Sequence, residues 1–172
     1  MKIDLISIGD IHPGILQQLK DGLETVFGCP VRIDKSIGIP DDAFDRARDQ
    51  YLSDILLDRL RRHEHEFEHA LGVTEFDIFT HGLNFVFGQA DSVNRVAVIS
   101  LKHLRDENCI LPGGEDLLLE RSLKEAVHEL GHTLGLGHCG DAKCVMHFSN
   151  SLVDTDVKGR YFCSRCRPKL IE

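Results

Sequence analysis

The sequence predicts an α/β fold: one compact domain in which helices back a twisted, mostly parallel sheet. Three observations carry that expectation. Strand-like and helix-like stretches alternate through the first third of the chain, the arrangement that produces parallel strands joined by helical crossovers. The run Val96-Ala97-Val98-Ile99-Ser100-Leu101 is almost continuously apolar, as expected of a strand covered on both faces. A length of 172 residues suits a single sizeable core, and 42% apolar with 28% charged residues is an ordinary globular composition. Residues 1–172 are therefore expected to form one domain, without internal repeats or low-complexity tracts.

In chain order, Met1 to Asp10 alternates like a strand and is too short and too charged for a signal peptide. Ile15, Leu16, Leu19, Leu23 and Val26 keep helical spacing behind Pro13, which suits a first helical turn. A second strand is expected near Val31 to Ile39, closed by Pro40. Asp41 or Asp42 then caps a long helix through Phe44, Ala47, Tyr51, Ile55, Leu56 and Leu60. From Ala70 to Leu104 the pattern turns to β, with strands expected at Ala70 to Phe79, Asn84 to Ala90 and Val96 to Leu101. Leu117 onward begins a second long helix, with Leu118, Leu119, Ala126, Val127, Leu130 and Leu134 available for burial and Glu115 and Asp116 favouring its positive end. Gly131 inside that helix costs about 1 kcal/mol relative to alanine, which implies a close neighbour there.

Charge and cysteine usage narrow the function. A net charge of −8, with only Arg59, Arg61 and Arg62 grouped, argues against a sequence-independent hold on nucleic acid. No stretch is long enough to span a membrane. A reducing, cytoplasmic location is expected, and six cysteines there suggest metal before disulfides. No inhibitory pro-segment is expected ahead of the first strand. Oligomeric state is not legible.

The chemistry centres on His128-Glu129-Leu130-Gly131-His132-Thr133-Leu134-Gly135-Leu136-Gly137-His138. On a helix, residues four apart stand about 40° and about 6 Å from one another, so His128 and His132 present their imidazoles side by side. Continued as a helix, the chain would carry His138 to roughly 240° from His132, away from a shared ion. Gly135 and Gly137 allow the helix to stop and the chain to bring His138 back. Three imidazoles leave one tetrahedral corner of a zinc ion to water, and Glu129 can reach that water as a general base.

Downstream, Cys139-x4-Cys144 and Cys163-x2-Cys166 are two chelating pairs that together make a closed, structural four-thiolate zinc site; disulfides are the alternative. His65 and His69, four apart in a charged run, could bind metal, but such runs at helix ends are more often solvated surface. Cys29 and Cys109 lack partners at metal spacing and read as plain thiols.

The histidine run fits H-E-x-x-H-x-x-G-x-x-H, the zinc signature of the metzincin metallopeptidases. Fused to Cys139, Cys144, Cys163 and Cys166, it resembles the archaemetzincins in particular. That resemblance implies a metzincin-like domain: residues 1–114 form the sheet and backing helices, 115–138 the active-site helix and third ligand, and 139–172 the Met-turn and four-cysteine segment. It places Met146 in the Met-turn, as an apolar floor beneath the imidazoles; a lone methionine is otherwise core filler. It also implies an antiparallel edge strand along the cleft, which we place at Phe85 to Ala90, with Phe87, Gly88, Gln89 and Ala90 holding an extended substrate by β-augmentation. An ordinary edge with Gly88 at a bulge is the competing reading.

The expected activity is zinc-dependent hydrolysis of peptide bonds, with two zinc ions per chain, Glu129 as catalytic base and a peptide or protein substrate. A zinc-stabilised peptide-binding protein with little turnover is the alternative. Phe148 stands where some metzincins carry a zinc-reaching tyrosine. Tyr161 could supply a hydroxyl but suits packing better, and His147 has no assigned role.

Overall fold

The first strand, β1 (Ile3–Ile8), is buried along its whole length, and it pairs in parallel with β2 (Val31–Ile33) on one side and β5 (His69–Thr74) on the other. The computed structural model describes residues 1–64, 66–106, 108 and 114–170. β8 (Val96–Ser100) continues the parallel run beside β5, and β7 (Gly88–Asp91) closes the sheet antiparallel to β8, giving the order β2-β1-β5-β8-β7. This is the mostly parallel sheet with an antiparallel edge that the sequence led us to expect.

Two apolar layers cover it. On one face α1 (Pro13–Phe27) brings Leu16, Leu19 and Leu23, and α3 (Gly114–Thr133) brings Leu118, Leu123, Ala126, Val127 and Leu130, against Ile3, Leu5, Leu71, Val73, Ala97 and Ile99. On the other face α2 (Ser53–Arg62) packs Leu56, Leu57 and Leu60 onto Ile6, Ile8, Val96 and Val98. Each such leucine contributes about 1.5–3 kcal/mol on burial, so both faces are firmly held. Among the described residues no helix is long and apolar enough to cross a membrane.

Several elements differ from expectation for local reasons. The second strand stops at Ile33, and only Ile37 returns to bridge Ile8. The long helix behind Asp41 is a short 3-10 turn (Asp41–Ala43) followed by a hairpin of β3 (Phe44–Asp45) and β4 (Gln50–Leu52), and α2 begins only at Ser53. Asp45 accepts hydrogen bonds from the amides of Ala47 and Arg48, and Asp49 adopts φ 55°, so the chain turns before a helix can start. Tyr51 then pairs with Ile78 of β6 (Ile78–Phe79), which makes a second three-stranded sheet, β3-β4-β6, out of what reads as one strand from Ala70 to Phe79. The antiparallel edge strand begins at Gly88 and runs to Asp91, so Phe87 lies just outside it, although its carbonyl still accepts the Ser100 amide at 2.8 Å. Gly88 pairs in regular register with Ile99 and is not bulged. The α3 helix ends at Thr133, leaving Leu134 half-buried and Leu136 in the core instead.

α3 crosses beneath the edge of the large sheet, and polar ties along its length hold it there. His69 Nδ1 lies 2.9 Å from Thr133 Oγ1, joining β5 to the end of α3. Buried Arg121 reaches the Leu104 carbonyl at 3.0 Å and the carboxylates of Asp106 and Asp156 at 3.0 and 2.7 Å. His69 is thus a buried structural residue, while His65 and Cys109 lie outside the described residues.

Candidate active site

On α3, His128 and His132 stand one turn apart with ring centroids 4.7 Å from each other and their Nε2 atoms 3.1 Å apart. Each Nδ1 faces a main-chain carbonyl: Val145 at 2.8 Å for His128 and Leu136 at 2.7 Å for His132. A carbonyl can only accept, so Nδ1 carries the proton and Nε2 keeps its lone pair free for a cation. Burial, ahead of the Lys158 charge, pushes the His128 pKa down to about 2, which keeps that ring neutral.

The helix stops through paired reverse hydrogen bonds, Leu136 N–H to Gly131 carbonyl at 3.0 Å and Gly135 N–H to His132 carbonyl at 2.9 Å, with Gly135 at φ 83°. That is a Schellman ending, and its left-handed residue is one where a side chain would be strained. The reversed chain sets His138 against the first two rings, at centroid distances of 5.3 and 4.9 Å, with Phe148 packed on its other side at 4.9 Å. Burial also lowers the His138 pKa, followed in size by the His132 charge. One nitrogen of each of the three rings lies within 4.8 Å of the others.

Glu129 is buried beside this cluster, and burial, with the Glu125 charge second, raises its carboxyl to about 8. It packs on Gly88: a Cβ there would sit 2.6 Å from Glu129 Cγ and 2.8 Å from the Val98 carbonyl oxygen. Only glycine allows the edge strand to lie this close to the carboxylate. A cavity of about 200 Å³ opens at this point between the 83–88 segment, the α3 residues Glu125, His128 and Glu129, and the wall from Phe148 to Asn150.

Cys139, Cys144, Cys163 and Cys166 form the second cluster, their sulfurs all within 4.8 Å and none in a disulfide. Amide N–H groups of Asp141 and Cys163 point at the sulfurs of Cys139 and Cys144, at 3.5 and 3.4 Å. Backbone hydrogen bonding at Arg165 brings the Cys163 thiol down to about 6, whereas burial raises Cys144 and Cys166. Four sulfurs this close repel one another as thiolates unless a cation lies among them. The two clusters touch through the backbone: Cys139 N–H donates to the Met146 carbonyl at 2.8 Å, and Val145, whose carbonyl orients His128, lies between Cys144 and Met146.

The structure thus brings the three histidines and Glu129 together at Gly88, and the four cysteines together next to them. Met146 is fully buried, with its sulfur against Gly131. Gln89 and Ala90 lie further along the edge; Gln89 Nε2 donates to Asp54 at 2.8 Å. Tyr161 is exposed and uses its carbonyl to accept from Val145, and His147 Nδ1 meets the Cys139 carbonyl at 3.0 Å. Sequence reasoning missed Glu125 and Lys158, a buried ion pair with Nζ and Oε1 2.9 Å apart. Glu125 could have been found, since it precedes Glu129 by one helical turn, but nothing in the local pattern singles out Lys158.

A three-imidazole cluster beside a glutamate, at the antiparallel edge of a mostly parallel sheet, suits a zinc metallopeptidase, and the sequence model of Peptidase family M54 matches residues 14–172. The archaemetzincin of Methanocaldococcus jannaschii is 44% identical over 99% of this chain and 93% of its own, and that of Pyrococcus furiosus 43% identical over 99% and 92%. The crystal structure of archaemetzincin from Methanopyrus kandleri superposes with a TM-score of 0.88 at 40% identity, covering 99% of this chain and 93% of that one. A malonate complex of archaemetzincin from Archaeoglobus fulgidus gives 0.85 at 36% identity, covering 98% and 99%. The chain belongs to peptidase family M54, the archaemetzincins.

Proposed function

We propose that His128, His132 and His138 hold the catalytic zinc, that Glu129 is the general base of peptide hydrolysis, and that Cys139, Cys144, Cys163 and Cys166 hold a second, structural zinc. The observation that carries the reading is the pair of Nε2 atoms 3.1 Å apart, each with its Nδ1 committed to a carbonyl. Two tetrahedral ligands at about 2.0–2.1 Å from one zinc ion lie about 3.4 Å from each other, close to that spacing. Thiolates at about 2.3 Å would lie about 3.8 Å apart, and the Cys139 and Cys163 sulfurs are separated by 3.8 Å.

Zinc bound at the histidines would supply Lewis acidity toward the scissile carbonyl and acidify a water. The chain supplies the rest. Glu129 takes the proton of the attacking water at its carboxylate and passes it to the leaving amine nitrogen; burial raises its carboxyl, and a zinc charge held at the adjacent histidines would favour the ionised form that a base requires. The free edge of β7 offers main-chain groups to an extended peptide, and the absence of a Gly88 side chain lets that peptide approach Glu129. Phe148 covers one side of His138.

Replacement of Glu129 by alanine tests this. Turnover of a peptide substrate should fall by about 10²–10⁴-fold with histidine-site zinc retained. A variant that cleaves at the wild-type rate would remove Glu129 from the mechanism.

A further inference from the structure

The cavity lined on one side by His128 and Glu129 has apolar walls, from Leu83, Phe85, Phe87 and Phe148, and further polar groups at Asn84, Glu125, Ser149 and Asn150. At about 200 Å³ it falls below the roughly 300–1,000 Å³ of sites that enclose whole small molecules, so it has room for one large side chain. An uncompensated carboxylate in such a place attracts lysine or arginine, because Coulomb energy is little screened away from water. Here the carboxylate is not uncompensated. Lys158, fully buried, places Nζ 2.9 Å from Glu125 Oε1, and the Thr155 hydroxyl donates to the same oxygen at 3.2 Å. The ammonium also reaches the His147 carbonyl at 3.4 Å, which ties α3 to the segment that continues into the Phe148 wall.

Removing both ions from water costs several kcal/mol each, and an apolar pair of the same volume would serve packing as well or better. The pair therefore makes most sense by what it does to its neighbour, the pocket. We propose that Lys158 is a specificity-determining residue: by cancelling the charge of Glu125 it makes an acid-lined pocket accept an uncharged aromatic or large aliphatic side chain flanking the scissile bond, and refuse lysine and arginine. A second cation would enter beside Lys158 and meet a carboxylate already shared. The Ser149 hydroxyl, buried in the same wall without a partner among the described residues, offers one neutral hydrogen bond, so tyrosine fits with phenylalanine. This rests on the peptidase reading above and adds the substrate class to it.

The test uses the zinc-loaded protein and a series of peptide hydroxamates alike except for one side chain, Phe, Leu, Lys or Glu, with affinities read by calorimetry. The wild-type protein should bind the Phe and Leu probes at least about tenfold more tightly than the Lys probe. Lys158→Met should reverse that order, and Glu125→Gln with Lys158→Met should restore it. Wild-type affinity for the Lys probe equal to that for Phe, an unchanged ranking in Lys158→Met, or no binding by any probe overturns the proposal. If Lys158→Met does not fold, Glu125→Gln alone leaves the ammonium unmatched and should favour the Glu probe; an unaltered ranking there is equally decisive. Peptide cleavage measured alongside keeps the two readings apart. Probes ranked as expected with no peptide cut sink the peptidase reading alone, whereas cleavage beside lysine or arginine sinks the pocket assignment alone.

Discussion

The sulfur of Met146 rests on the α-carbon of Gly131, in the turn of α3 between the first two histidines. A Cβ at residue 131 would overlap that sulfur and lie 3.1 Å from Met146 Cε and 3.2 Å from Phe162 Cε1. The glycine that weakens the helix by about 1 kcal/mol is therefore the seat of the Met146 side chain.

Gly131→Ala should accordingly destabilise the protein by about 1–3 kcal/mol, because overpacking outweighs the gain in helix propensity. Urea unfolding measures it. In a Met146→Ala background the penalty should shrink, as contacting residues couple. Equal penalties in both backgrounds would mean that the two residues are not in contact.

Gly88→Ala places a methyl against Glu129 rather than against solvent. Displacement of a catalytic group by an ångström costs up to about 10²-fold in rate, so kcat should fall by about 10–100-fold while histidine-site zinc is kept. Steady-state kinetics with elemental analysis decides it; loss of zinc in step with activity would point to sheet damage through Val98.

Elemental analysis should give two zinc ions per chain, one stripped more readily by chelator. Cys144→Ser should lose one outright. It should also weaken the other by about 10–100-fold, because Val145, next in sequence, supplies the carbonyl that orients His128. Undiminished histidine-site affinity in Cys144→Ser would show the two clusters to be independent.

Arg121 hydrogen bonds hold the Asp106 carboxyl down from 3.8 to about 2. A carboxylate whose folded pKa is depressed contributes stability that is complete above its unfolded value and is lost as pH falls through the folded one. The stability difference between wild type and Asp106→Asn should therefore be constant above about pH 5 and should shrink steadily as pH falls through about 4 toward about 2 and below. Denaturation midpoints at a series of pH values read this directly, and a difference as large at pH 2 as at pH 6 would contradict it.

How much of this was legible in the chain follows from the range of the forces involved. The sequence by itself determined the parallel strands, the α1 and α3 helices, the break at Gly135 and which histidines and cysteines gather into two clusters, since apolar periodicity, glycine conformation and residue spacing act within a few residues. It could not separate the β3-β4 hairpin from a helix, because Phe44, Ala47 and Tyr51 keep helical spacing and only pairing with Ile78, far along the chain, draws Tyr51 into a sheet. It located a close neighbour for Gly131 without naming Met146, and read Gly88 as an edge or a bulge when its partner is Glu129 on another element. Lys158 was invisible for the same reason: its charge is matched to that of Glu125 only when α3 and the chain after α4 (Leu152–Val157) are folded against each other and water is gone.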